Sequence, residues 1–461
     1  MITLKNILNW LFLLGLFFFS FNDYEGIPFL GEFRKEPAAI FFFFGFLLLI
    51  VQSYYRKKIA IPFTNTIFKL ILLFILWCFI STALNITTVS ASYFKHTTGI
   101  NRFFRQYISL LISVIVFFLF YFNVLIKLTI KDILYKIRKV FFLSLIVASV
   151  YGFLEIGVSF FGFNFLYSTL KLFDYFPFLE VDLEGFGKIS SICYEPPFLA
   201  IYLITIAGWM FSYILTENGI LKFIPTILVL ILTFYSGSRT GLAVIFIQLL
   251  VFASILFKYK KYRIYIKYSL IISCFLFSFL LVLNGEKITK AISEKIESLN
   301  FSQNLTKNVS NQSRFGMQYA ALQVFKENPI IGVGYGQQTY HTRFRYPGWA
   351  THNNYEYEIF YKNSAEPTFP PAYNIYTRLL AEIGMVGFLI FLSILFFVIR
   401  KTKILIKTTS GENQILSYVL LISFTGLFIN WLQIDSFRIY GVWISIAILI
   451  RLSQIKTTIY E

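Results

Sequence analysis

Apolar runs long enough to cross a bilayer recur along the whole sequence, at about 7–22, 37–55, 66–84, 105–126, 140–162, 197–216, 221–236, 240–257, 268–283, 373–399, 413–432 and 437–453. A hydrocarbon core about 30 Å thick is crossed by roughly 17–25 such residues as a helix. Only helices and closed barrels satisfy every backbone group at that depth. The twelve runs therefore predict an all-α integral membrane protein, with a re-entrant hairpin over 221–257 as the alternative for its shortest pair. Composition agrees, since a chain that is 57% hydrophobic and 14% charged has too little polar surface to coat one water-soluble core of 461 residues.

The net charge of +18 belongs to short clusters between apolar runs, which is how spans are oriented, and not to a nucleic-acid face. Basic connections such as 56–58, 131–139, 258–263 and 400–403 alternate with acidic or mixed ones such as 23–36 and 174–184. The basic side is cytoplasmic by this rule. Both termini are then expected inside, with the connections after runs 1, 3, 5, 7, 9 and 11 facing out. Cys78, Cys193 and Cys274 are too scattered for a disulfide framework or a thiolate metal site.

Three segments follow: runs 1–9 over 1–283, an outward-facing polar stretch over 284–371, and the last three runs over 372–461. Within the polar stretch, apolar residues at helical spacing predict an amphipathic helix from Lys287 to Leu299 and a second helix from about Ser313 to Lys326, which Asn328 and Pro329 would stop. Gly332, Gly334 and Gly336 follow, suited to tight turns against another surface. No strand precedes them and no helix start follows, so they make a poor phosphate loop. Arg239, between two apolar runs, either snorkels as a cap or faces a cavity where its fork would match phosphate oxygens. Arg314 opens the second helix on the same side.

The order of an SGSRTG segment around Arg239, the RFGMQYAAL stretch from Arg314, NPIIGVG ending at Gly334, and Asn374 ahead of a Gly384–Gly387 pair resembles the O-antigen polymerase (Wzy) and O-antigen ligase superfamily. The ICYEP segment holding Glu195 is similar to a further element of it. The resemblance covers about 190–390. It implies a GT-C-like, metal-independent glycosyltransferase without cofactor, working at the periplasmic face of the bacterial inner membrane on undecaprenyl-diphosphate-linked glycans. A chain-length regulator is a partner compatible with it. Carried over, Arg239 and Arg314 would hold the donor diphosphate and stabilise the charge on the departing lipid.

In the ligase branch, a histidine is the base where this chain has Tyr373, and a phenol with a pKa near 10 is a poor base. Glu195, His352 and Glu382 could stand in, leaving four candidates with Tyr373. Their plain alternatives are a helix-start acid, a solvated loop imidazole and an ion-pair partner. Tyr335, Gln337, Trp349, Asn353 and Asn374 are candidates to stack on or bond sugars, or else to anchor the chain at the interface. The missing histidine favours a polymerase over a ligase. A flippase for the same lipids is the competing class, though its polar residues would belong near the bilayer midplane.

Overall fold

A computed structural model describes residues 4–56, 59–183, 187–260, 262–264, 267, 309–363 and 365–457. The expected span 268–283, the helix Lys287–Leu299, Cys274 and the boundary at 284 lie outside them. The rest is helical apart from a two-residue hairpin, Tyr93–Phe94 against Thr97–Thr98. Eight helices are long and apolar enough to cross a membrane and three more are shorter. They are α1 (Leu4–Phe17), α2 (Pro37–Arg56), α3 (Thr66–Leu84), α4 (Gly99–Leu125), α5 (Ile130–Ser159), α6 (Pro196–Thr216), α7 (Ile224–Tyr235), α8 (Arg239–Leu256), α10 (Ile375–Thr408), α11 (Gly411–Asn430) and α12 (Tyr440–Thr457), with the polar helix α9 (Val309–Glu327) between α8 and α10. Every expected apolar run within the described residues falls on a helix, though those at 7–22, 221–236 and 437–453 fall on the three shorter ones. This is an all-α multi-pass membrane protein.

The helices start where their caps dictate. Asn65, Thr98, Thr129, Ser238 and Asn374 each accept a backbone N–H from the first turn of α3, α4, α5, α8 and α10. The Thr98 cap starts α4 six residues before the apolar run, which brings Arg102 and Arg105 onto a spanning helix. Large apolar side chains such as Phe44, Leu47, Leu76 and Phe246 are exposed on the outside of the bundle, where hydrocarbon would meet them. Inside, small residues let helices close: a Cβ on Gly15 would lie 2.2 Å from the Phe42 ring, and one on Gly441 2.3 Å from Thr205. Buried Gln248 of α8 donates to the Ile204 and Ile422 carbonyls, joining α8 to α6 and α11. Gly241, Gln248 and Phe252 of α8 meet Ala200, Ile204 and Phe211 of α6 in order. The two run side by side through the same depth, so α8 is a span and not one arm of a re-entrant hairpin.

The connections expected to share one side are knitted together at one end of the bundle. Tyr194 N donates to Asn22, Glu180 N to the Asp23 carbonyl and Ile189 N to the Tyr235 carbonyl. Buried Lys95, in the hairpin, donates to the carbonyls of Ile359 and Thr368. Over this end lies a cap formed by residues 309–371, with α9 packed on α10.

The cap is fastened where α10 breaks. Gly384 has φ +63°, outside the helix, and frees carbonyls and amides on either side. The chain that follows α9 takes them: Val333 and Gly334 donate to the Ala381 and Glu382 carbonyls at 3.0 and 2.8 Å, and Met385 donates to the Pro329 carbonyl at 2.8 Å. Ser81 of α3 donates to the Ile331 carbonyl, and Asn85, just past its end, to that of Gly332. The NPIIGVG glycines thus serve close backbone approach, as expected. Gly384 does more than permit helix packing, because it is the break itself. A Cβ at Gly384 would sit 2.3 Å from the Ile330 carbonyl oxygen at a positive φ, combining a backbone clash with strain of about 1–3 kcal/mol. Gly384→Ala should lower the thermal midpoint of the detergent-solubilised protein sharply, while Gly348→Ala, where a Cβ meets nothing within 4 Å, should leave it near that of the parent.

Candidate functional site

Under the cap is a cavity of about 610 Å³, within the range of ligand pockets. Its apolar wall comes from Phe19, Pro197, Phe198 and Ile201, and its polar lining includes Glu36, Glu195, Arg314, Glu356, Tyr373, Asp435 and Arg438.

Each polar group is placed by local structure. Fully buried Glu155 of α5 accepts the amides of Ser190 and Ser191 at 3.1 and 2.8 Å, and the Cys193 thiol donates to the Ser20 carbonyl. That loop is held until Pro196 and Pro197 start α6, with Glu195 at its N-cap in extended backbone and its side chain at the cavity. Arg314 is set by the seating of α9: Ser313 and Asn354 exchange hydrogen bonds, and the Tyr346 hydroxyl donates to the Ser313 carbonyl. Its guanidinium lies 5.5 Å from the centre of the Tyr373 ring, and no carboxylate among the described residues is within ion-pair distance of it. The Tyr373 hydroxyl donates to Glu356 at 3.3 Å. Burial, and then the Glu356 charge, push the phenol well above its usual range, so Tyr373 keeps its proton at neutral pH. Arg438 pairs with Glu36 at 3.1 Å and reaches Glu32 at 3.9 Å. Burial outweighs Arg438 and the Tyr440 hydroxyl at Glu36 and raises its carboxyl. Asp435 accepts the Ala372 amide at 2.6 Å.

The structure thus brings Glu195, Arg314 and Tyr373 together. Arg239 lies at the same end, exposed at the start of α8, but is not among the residues lining the cavity. His352 is exposed and outside it, its carbonyl accepting from Gln312. Glu382 is buried in α10 and paired to Arg378 at 3.1 Å. Asn374 caps α10 and donates to Gln318. Gln337 is buried and donates to the Gly99 carbonyl. Trp349 is half-buried, and Asn353 is exposed with φ +51°.

Tyr335 lines a second, narrower chamber of about 150 Å³ with Glu32, Arg102, Gln106, Phe369 and Arg378. Pro371, Asp435, Ser436 and Arg438 line both spaces. Burial pushes Glu32 up, but Arg438, Arg102 and Arg105 outweigh it and hold its carboxyl below the ordinary range. Sequence reasoning missed Glu32, Glu36, Arg102 and Glu356. The signals were there: two acids four apart in the first short connection, and a basic pair three apart at the head of an apolar run.

The cavity of this membrane protein thus sets charged and polar side chains opposite an apolar wall. Residues 224–392 match the family model described as O-antigen ligase. Over that stretch, rather more than a third of its length, the chain is similar to the O-antigen ligase family, which supports the resemblance to the O-antigen ligase and polymerase superfamily. No curated protein matches the chain.

The matched region includes the Arg378–Glu382 pair. Arg378 also donates to the Asp435 carbonyl at 2.6 Å and to Gln106 at 3.1 Å, so it braces three elements. Removing one partner of such a buried pair costs about 3–5 kcal/mol. Glu382→Ala should therefore lower the melting temperature strongly and Glu382→Gln less. A Glu382→Ala protein that melts like the parent and lacks activity would instead mark Glu382 as chemical.

Proposed function

We propose that the chain is a polymerase that joins undecaprenyl-diphosphate-linked oligosaccharide repeats at the periplasmic face of the inner membrane, with both termini in the cytoplasm. The observation that carries this is Arg314, a cation without a carboxylate partner among the described residues, in one cavity with the carboxylate of Glu195. An acceptor sugar hydroxyl attacks the anomeric carbon of the donor, and the bond from that carbon to the diphosphate oxygen breaks with inversion. The hydroxyl proton passes to Glu195, and the charge left on the lipid diphosphate is met by Arg314. Tyr373, protonated and with its hydroxyl spent on Glu356, places its ring against the Arg314 guanidinium and helps to hold it in place. Of the four candidate bases, Glu195 alone combines a carboxylate with a place on the cavity wall.

The ligase reading has one specific support, the description of the matching family model. In it the same donor is used and the acceptor is lipid A-core. Purified protein supplied with lipid-diphosphate-linked repeats alone separates the two. A ladder of multimers is expected. New bonds formed only once lipid A-core is added would make it a ligase, and lipid movement without any new bond would make it a flippase. Loss of one preorganised charge facing a developing anion costs about 10²–10³-fold in rate, so Arg314→Ala should fall by that factor while the protein remains folded and inserted. Multimer formation at the parental rate in that variant would remove Arg314 from the chemistry.

A further inference from the structure

The narrow chamber beside the main cavity contains an arginine that makes no direct ion pair with any described residue, although Glu32 on the same wall acts on it at longer range. Arg378 spends its donors on Glu382, Asp435 and Gln106. Arg438 is paired with Glu36 and Arg105 with Glu32. Arg102 makes no hydrogen bond or ion pair with any described residue, and its Nε is buried without a partner. Its guanidinium lies flat against Phe369, 4.2 Å from the ring centre. Desolvating a cation and leaving it unpaired is costly, and a guanidinium fork fits a carboxylate in two parallel hydrogen bonds. Around it, buried Tyr335 and half-buried Gln106 and Ser436 offer hydroxyl and amide groups, and Phe369 and Tyr335 supply apolar ring surface. Such a mixture suits a hydroxyl-bearing ring. At about 150 Å³ the chamber takes one ring-sized group and not an oligosaccharide, and one guanidinium fork without a hydrogen-bond partner suits one carboxylate.

We infer that this chamber is a subsite for a single acidic sugar residue, a pyranose bearing a carboxylate, with that carboxylate on Arg102. The chamber shares Asp435, Ser436 and Arg438 as wall residues with the wide cavity, which makes the sugar part of the glycan that the polymerase handles, so the inference rests on that reading for its biological setting. A diphosphate is a poorer occupant, since Glu32 on the same wall repels so concentrated a negative charge and a diphosphate has no ring to place beside Tyr335 and Phe369.

The test measures binding of free D-glucuronate, D-glucose and inorganic phosphate to the purified full-length protein in detergent, with no lipid-linked donor present. A charge-assisted hydrogen bond is worth about 1.5–3 kcal/mol, so glucuronate should bind at least about tenfold more tightly than glucose. Phosphate should bind more weakly than glucuronate. Arg102→Gln should remove the preference and Arg102→Lys keep part of it. Phe369→Leu, at a half-buried position with little risk to folding, should weaken glucuronate binding by unseating the guanidinium. The inference is overturned if glucose and glucuronate bind alike, if phosphate binds as well as glucuronate, or if both Arg102→Gln and Phe369→Leu bind glucuronate like the parent. Because no donor is present, this result stands apart from whether the chain joins repeats, which the Arg314→Ala assay decides.

Discussion

The architecture turns on the need to satisfy backbone groups where a long helix is interrupted. Gly384 takes α10 out of helical geometry, and the amides and carbonyls it frees have no water to fall back on where neighbouring helices pack against them. They are paired instead with the backbone of residues 329–334, which only glycine at 332 and 384 lets come close enough. One interruption therefore both ends a helix and recruits the segment that follows α9. Since α9 carries Arg314, the placement of the cavity's unpaired cation depends on a backbone exchange with α10.

The site inherits this logic. Cations that hold structure are surrounded by acceptors: Arg378 by Glu382, the Asp435 carbonyl and Gln106, and Arg438 by Glu36 and Glu32. Those that face space are held by aromatic rings, Arg314 by Tyr373 and Arg102 by Phe369. A ring fixes the plane of a guanidinium without consuming its donors. Arg378 and Arg438 also lie near rings, 5.5 Å from the centre of Tyr335 and 5.8 Å from that of Phe33, so it is the lack of a carboxylate partner that sets the available charges apart.

Much of the fold was legible in the sequence because hydropathy and the alternation of basic connections are averages over many residues, and both survive local error. The gathering of Glu195, Arg314 and Asp435 at one end followed from counting spans. Pairing was not legible. Nothing in the sequence says that Glu382 faces Arg378 on its own helix and not a substrate, or that Arg438 prefers Glu36, some 400 positions away, to nearby Asp435. Asn374 and Gln337 looked like sugar ligands and are a helix cap and a buried tie to Gly99, because an amide serves either purpose and only the neighbouring backbone decides. Arg102 was hidden by a helix boundary: its run was read from 105, whereas the Thr98 cap starts the helix at Gly99.

The hairpin that carries Lys95 shapes how the cavity can be reached. Lys95 is 5% exposed and anchors residues 359 and 368, while Tyr340 and Gln337 are tied to Thr97 and Gly99, and Ala372 to Asp435. With fastenings at both of its ends and in its middle, the 329–372 stretch has no hinge about which to swing, so it works as a fixed roof and not as a lid. On the proposed function, lipid-borne molecules would then slide in and out sideways, between helices, and a lengthening product would be threaded past a stationary ceiling.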